Sequence, residues 1–282
     1  MNVSYNDLQG KVCVITGGGG IIGKSLAEGL QSAGVSIAVL DLAKDAADAV
    51  AGDLLREFKG KAIGVEANVL EKKSLELARE TIHQKLGKID LLINCAGGNS
   101  PKATTQIEFL QEGTPDSLER SFYGLDIDGF RKVFDLNFLG TVLPTMVLTR
   151  DMIDAGKGAV LNISSMNSFR PLTKIPAYSA AKASINNFTE WLAVHLAKAN
   201  IRVNAIAPGF FLTNQNRFLL TDEKTGALTP RGNKILASTP MGKFGSPDHL
   251  QGATLFLLSE MSAFITGVVL PVDGGFNAYA GV

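Results

Sequence analysis

"VCVITGGGGIIGKSLAEGL", residues 12–30, opens with an apolar, β-branched run, breaks into four consecutive glycines and resumes with helical spacing. The run reads as a buried strand, and Gly20 to Ala33 as a helix stopped by Gly34. Six more short apolar runs of the same kind follow, "SIAVLD" (36–41), "KAIGVE" (61–66), "IDLLIN" (89–94), "GAVLNIS" (158–164), "IRVNAIA" (201–207) and "GVVLPV" (267–272). Longer segments of helical period separate them, Ser74 to Leu86 being the clearest. Strands that are apolar throughout need cover on both faces, so the pattern predicts an α/β fold: one doubly wound, seven-stranded parallel sheet with helices on both sides. No repeat, linker or shift of composition divides residues 1–282, which read as one domain.

Composition narrows the function classes. The chain is 45% hydrophobic and 19% charged, which excludes a disordered or fibrous protein. Its 27 Lys+Arg cancel its 27 Asp+Glu, leaving no overall field to attract a nucleic acid or an acidic membrane. Cys13 and Cys95 lie in apolar runs without CxxC spacing and read as small core residues. The start, "MNVSYNDLQGK", has no apolar signal region, so a cytoplasmic location is expected. The most membrane-like window, 253–272, is interrupted by Glu260 and suits a buried helix followed by a strand. His83, His195 and His249 lack metal spacing, and Asp126 and Asp128 lack the rest of a calcium loop, so capping explains the pair better and no metal site is expected. Trp191, Leu192, Val194 and Leu196 form an apolar stripe suited to the core or a subunit contact.

Two stretches interrupt the strand–helix rhythm: 98–125 after the fourth strand and 212–243 after the sixth. Ligands of open α/β sheets bind beyond the carboxyl ends of the strands, so both should overhang one crevice as substrate walls. In the first crossover, Gly17, Gly19, Gly20 and Gly23 would let the backbone approach a pyrophosphate, held by the N–H groups of the helix start. Asp41, 18 residues beyond Gly23, would accept hydrogen bonds from ribose hydroxyls and repel a 2′-phosphate, favouring NAD over NADP; its alternative role is a helix N-cap. Asn94, Ala96 and Gly97 would leave space for the adenosine end.

The stretch 161–188 carries the chemistry. Tyr178 and Lys182, at i and i+4 of a helix starting near Pro176, emerge on one face, and Ser165 lies 13 residues before Tyr178 at a strand end. A phenol of pKa about 10 is a poor proton donor and acceptor at neutral pH; an adjacent ammonium would have to lower it by about three units, on the order of 4 kcal/mol. Ser165 would hold the reacting oxygen against Tyr178.

"TGGGGIIG", "NCAG", Asn137 in "DLNFLGT", Ser165, "YSAAK" and "APG" (207–209) together resemble the short-chain dehydrogenases/reductases, in an order and spacing that cover the chain from about residue 8 to "PVDGG" (271–275). The resemblance implies a single Rossmann-type domain, a homotetramer, and a catalytic set of Ser165, Tyr178 and Lys182 extended by Asn137, which would anchor a water leading from Lys182 to solvent. It also implies that NAD lies against Ile22, Asn68, Val69, Tyr178, Lys182, Pro208, Gly209 and Phe211 in addition to the residues above. Ile21 stands where the family pattern has its second glycine, and Asn68 where an acidic residue is commoner.

Within that family, "MNSFRPLTKIPAYSAAKASINNFTEWLAVHLA", the loop after the fourth strand and "NRFLLTDEKTGALTPRGNKILASTPMGKFG" resemble the D-mannonate oxidoreductase (fructuronate reductase) branch. The implied substrate is a small sugar acid, whose carboxylate asks for a cation and whose hydroxyls ask for amides. Arg170 and Arg217 are the candidate cations, and Asn99, Asn167, Asn214 and Asn216 the candidate amides, with Ser165 and Tyr178 at the reacting oxygen. The alternatives are a gluconate or polyol dehydrogenase with the same machinery, or a cofactor-binding protein without turnover.

Overall fold

The computed structural model describes residues 4–110, 117–212, 220–222 and 225–281. All seven apolar runs are strands: β1 (Val12–Thr16), β2 (Ser36–Asp41), β3 (Ala62–Glu66), β4 (Leu91–Asn94), β5 (Gly158–Ile163), β6 (Ile201–Pro208) and β7 (Val269–Val272). They form one parallel sheet in the order β3-β2-β1-β4-β5-β6-β7. Period-two alternation explains why they are apolar throughout. Cys13 and Ile15 enter one core, while Val12 and Val14 enter the other.

The described helices are α1 (Ile21–Ser32), α2 (Lys44–Glu57), α3 (Lys72–Lys85), α4 (Ile127–Phe134), α5 (Gly140–Leu148), α6 (Arg150–Ala155), α7 (Pro176–Leu196), α8 (Pro230–Ala237) and α9 (Gln251–Leu258). Leu26 and Leu30 of α1, Leu54 of α2 and Leu257 of α9 fill the first core. Leu75 and Ile82 of α3, Leu148 of α5, Met152 of α6 and Leu192 of α7 fill the second. Asp126 caps α4 by accepting from the Asp128 N–H, as the sequence suggests.

Strand order reverses between β1 and β4, and a crevice opens beyond their carboxyl ends. The Thr16 hydroxyl ties the two ends together, accepting from the N–H groups of Cys95 and Ala96 at 3.1 and 3.2 Å. The two inserted stretches meet over this end of the sheet. Lys234 Nζ, on α8, lies 2.7 Å from Glu108 Oε2, and Lys174 Nζ, just before α7, donates to the Gln106 carbonyl at 2.9 Å.

At the opposite end, Asp151 of α6 is sealed from solvent between Arg79 and His83 of α3, with His83 Nε2 at 2.6 Å, and accepts from the Ile89 N–H at 3.0 Å. His83 is therefore the partner of a buried carboxylate. Burial pushes the Asp151 carboxyl up, but Arg79, the Ile89 N–H and His83 outweigh it, and the group stays below the usual carboxylate range. A carboxyl with lowered folded pKa contributes stability that is present at neutral pH and fades as pH falls below about 4. Asp151→Asn should lower unfolding free energy at pH 7 by about 2 kcal/mol in urea titrations and flatten the acid limb of the stability curve.

Candidate active site

The glycine turn leaves no room for a side chain at Gly17 or Gly23. Gly17 has φ +62°, and a Cβ on it would lie 2.7 Å from the Ala96 Cα; a Cβ on Gly23 would lie 2.6 Å from the Gly17 carbonyl oxygen. Gly20 is the N-cap of α1 and has no side chain with which to satisfy the first N–H groups of the helix. Those groups lie where the cleft begins, a ready anion seat. Ile21, the departure from the family pattern, is the first residue of α1 and lines the cleft beside Gly20, Ile22 and Gly23.

Asp41 ends β2 and also lines the cleft. It is not the cap of α2, a role that falls to Ala43. One carboxylate oxygen accepts from the Gly19 N–H and the other from the Ala43 N–H, both at 3.1 Å, which holds the group in place while leaving lone pairs for further donors.

The opposite wall comes from β5 and α7. Ser165 follows β5 and is nearly buried; Lys182 is 3% exposed, and Tyr178 is half-buried. Spacing of four places Tyr178 and Lys182 on one face, with Lys182 Nζ 5.7 Å from the centre of the phenol ring. Lys182 Nζ donates to the Ile163 carbonyl at 2.7 Å. Asn137 lies in a π-helical turn, Asp135–Leu139, between α4 and α5. Its amide is bonded to both the N–H and carbonyl of Gly98. Asn137 and Lys182 converge on Gly97, where a Cβ would meet Asn137 Oδ1 at 2.7 Å and Lys182 Nζ at 3.3 Å.

The titration behaviour differs from the sequence expectation. Burial raises the Tyr178 phenol above its usual value, partly offset by its hydrogen bond with Ser165. Burial also lowers Lys182 to about 8. The expected lowering of the phenol by the ammonium is absent because desolvation disfavours both charged forms and dominates at this depth. Cys95 packs against the first core as expected, but it is only half-buried and also lines the cleft, and burial pushes its thiol up to about 11 against the pull of Lys182.

The cleft, about 610 Å³, gathers Gly17, Gly20, Ile22, Gly23, Asp41, Ala96, Gly97, Ser165, Tyr178, Lys182, Pro208, Gly209 and Phe211 from the expected set, together with Asn99. Others lie elsewhere. Gly19 stands behind the turn, with its N–H spent on Asp41. Asn94 is buried and donates to Thr145 and to Asn162, its register partner on β5, so it braces the sheet. Asn68 folds over the start of α3, accepting from the Leu70 N–H and donating to Glu71. Val69 is buried, close to Gly140. Asn167 is nearly buried, its N–H donating to Ser165 Oγ at 3.2 Å, and Arg170 is exposed and outside the cleft lining. Asn214, Asn216 and Arg217 lie outside the described residues.

Sequence reading missed Ile175 and Phe210, which line this cleft and also a neighbouring recess of about 170 Å³. Ile175 sits one helical turn before Tyr178, a spacing that marks it as a cleft neighbour. The recess is lined by the apolar Pro171, Leu172, Ile235 and Phe276 and by the charged Lys174, Arg231, Lys234 and Glu108. Among the described residues, no group of His, Cys, Asp or Glu could hold a metal ion, and no helix is long and apolar enough to cross a membrane.

A nucleotide-sized cleft at the switch point of a doubly wound sheet, ending at a Ser–Tyr–Lys cluster, defines an oxidoreductase architecture. The chain belongs to the short-chain dehydrogenase/reductase family: a family model described as enoyl-(acyl carrier protein) reductase matches residues 19–277. An uncharacterized oxidoreductase of Haemophilus influenzae is 51% identical over 100% of this chain and 99% of its own. The uncharacterized oxidoreductase UxuB of Bacillus subtilis is 47% identical, with 99% of each chain covered. A crystal structure described as a "putative D-mannonate oxidoreductase" from Haemophilus influenzae, with bound NAD, superposes with a TM-score of 0.93 at 51% identity over 98% of each chain.

The buried lysine has a thermodynamic signature. Its folded pKa is below that of an unfolded lysine, so the cost of burying the ammonium is full below about pH 8 and is relieved as pH rises from there toward 10.5. Lys182→Met should be more stable than the parent at pH 7 by about 2 kcal/mol, and its thermal melts should lack the parent's gain between pH 8 and 10.

Proposed function

We propose that the protein is an NAD(H)-dependent oxidoreductase interconverting a secondary alcohol and a ketone of a small sugar acid, with D-mannonate and D-fructuronate as the pair. The observation that carries this reading is the convergence of Ser165, Tyr178 and Lys182 on the same cleft as the glycine turn and Asp41. The glycines, the uncapped start of α1 and the Asp41 carboxylate fit a dinucleotide's pyrophosphate and ribose, and Asp41 disfavours a 2′-phosphate. When bound, the nicotinamide supplies or accepts the hydride.

The remaining steps belong to side chains. In the reducing direction Tyr178, which burial keeps in its protonated form, gives its proton to the oxygen of the substrate carbonyl. Ser165, hydrogen-bonded to Tyr178, holds that oxygen. Lys182, close to neutrality in proton affinity, refills Tyr178, and Asn137, converging with it on Gly97, anchors the water that leads the proton in from solvent. In the oxidising direction the same path runs in reverse.

Two features support an anionic substrate. The recess that shares Ile175 and Phe210 with the cleft has three cations against one carboxylate on its rim. Lys234 is paired with Glu108, whereas Lys174 bonds only a neutral carbonyl and Arg231 makes no ion pair among the described residues. Glu108, which feels all three cations, offsets only one of them, and a neutral polyol would leave the remaining positive charge unanswered. The relative with bound NAD is named for a sugar-acid reaction. We also propose a homotetramer working in the cytoplasm: Trp191, Val194 and Phe264 leave exposed apolar surface suited to a subunit contact, and both cysteines are free thiols.

An NADH absorbance assay over a panel of sugar acids and polyols tests the reading. D-Fructuronate reduction should be fastest, NAD(H) should be preferred to NADP(H), and Tyr178→Phe should lose about 10³-fold in kcat with NADH binding retained. Near-full turnover by Tyr178→Phe would defeat the mechanism. Lys174→Ala and Arg231→Ala should each raise KM for the acid by about tenfold and leave that of a neutral polyol unchanged.

A further inference from the structure

Ser165 can serve the reacting oxygen only if its hydroxyl is aimed where Tyr178 delivers the proton, yet the two sit on different elements. Ser165 leads into a single 3-10 turn, Met166–Ser168, that its own hydroxyl caps by accepting from the Asn167 N–H. A turn of three residues has little stiffness of its own. The aim must come from outside it.

Asn186 of α7 grips the chain on both sides of Ser165. Its Oδ1 accepts from the hydroxyl of Ser164, the residue before, at 2.5 Å. Its Nδ2 donates to Ser168 Oγ at 2.8 Å, and the Ser168 hydroxyl in turn donates to the carbonyl of Ser165 itself at 2.5 Å. The relay from the Asn186 amide through Ser168 to the Ser165 carbonyl is directional and uses each proton once. The Ser164 hydroxyl has other acceptors, Ser168 Oγ at 3.2 Å and the Lys182 carbonyl at 3.4 Å, but both are longer than the Asn186 contact. Asn186 is four residues beyond Lys182 and eight beyond Tyr178, so all three lie along one stripe of α7. Neither Asn186 nor Ser168 lines the cleft.

We infer that Asn186 is a positioning residue, fixing the Ser165 hydroxyl relative to Tyr178 by clamping residues 164 and 168 to the helix that carries the phenol and the lysine. The inference rests on the acid–base reading above. A residue that only fastened α7 to β5 would affect stability and cofactor affinity together with rate. One that aims Ser165 affects the proton and hydride step alone, because a misplacement of the order of 1 Å there costs about 10²-fold while the glycine turn on the opposite wall is untouched.

The test compares Asn186→Ala, Ser168→Ala and the double variant, with Tyr178→Phe in parallel, using the reductive assay. Expected are folded proteins with NADH affinity unchanged, kcat lowered by about 10²-fold in Asn186→Ala, and a larger primary isotope effect with 4-deuterated NADH. The double variant should lose no more than the worse single one, because both substitutions cut the same relay. A folded Asn186→Ala with parental kcat and isotope effect, additive losses in the double variant, or a rate loss explained by weaker NADH binding would each overturn the inference. Should Asn186→Ala not fold, Ser168→Ala, which removes a single half-buried hydroxyl, is read by the same criteria. Parental turnover in Asn186→Ala beside a dead Tyr178→Phe overturns the clamp alone, whereas an active Tyr178→Phe overturns the acid–base reading.

Discussion

A lysine ammonium sealed inside the protein is costly, and much of the site's architecture follows from how Lys182 is accommodated. Its charge is met by one short hydrogen bond to the carbonyl of Ile163, the last residue of β5, which requires α7 to lie close against that strand. The same closeness puts the phenol on α7 next to the serine that follows β5. Room for the ammonium and for the Asn137 amide exists because residue 97 has no side chain, and the turn of π-helix fastens that amide to the backbone of Gly98. One buried charge thus links the ends of β4 and β5, the bend between α4 and α5, and the start of α7.

Burial has two effects that local spacing does not reveal. It keeps the phenol protonated and brings the lysine down to about 8, so the proposed proton donor and proton store are both set by desolvation more than by mutual attraction. The penalty falls on the folded state. On the proposed function such a site gives up stability for chemistry, whereas the Asp151 cluster at the far end of the sheet combines a buried charge with enough partners to hold helices in place.

The sheet was legible in the sequence because strands buried on both faces leave an unbroken apolar record, and all seven appear where the runs predict them. The Ser165, Tyr178 and Lys182 cluster was legible because helical spacing fixes a shared face. Residues whose role depends on a neighbour distant in sequence were not. Asn94 looked like a wall of the crevice, but strand register sets it opposite Asn162, and two amides in register bond each other across the ladder. Asp41 could have capped a helix or faced the cleft, and only the path of the chain through Ala43 decides between them. Lys174 and Arg231 carried no signal, since the recess they rim exists only once two insertions and the approach to α7 come together.

The Lys234–Glu108 pair that joins those insertions spans 126 residues of chain. Both side chains reach solvent, and a salt-sensitive ion pair of this kind is a weak latch. Local opening is accordingly easier at this rim than in the doubly covered strands β1 and β4. On the proposed function, acid–base groups seated in the rigid floor and recognition groups on a loosely fastened rim can vary independently, which would allow the same floor to serve differently shaped substrates.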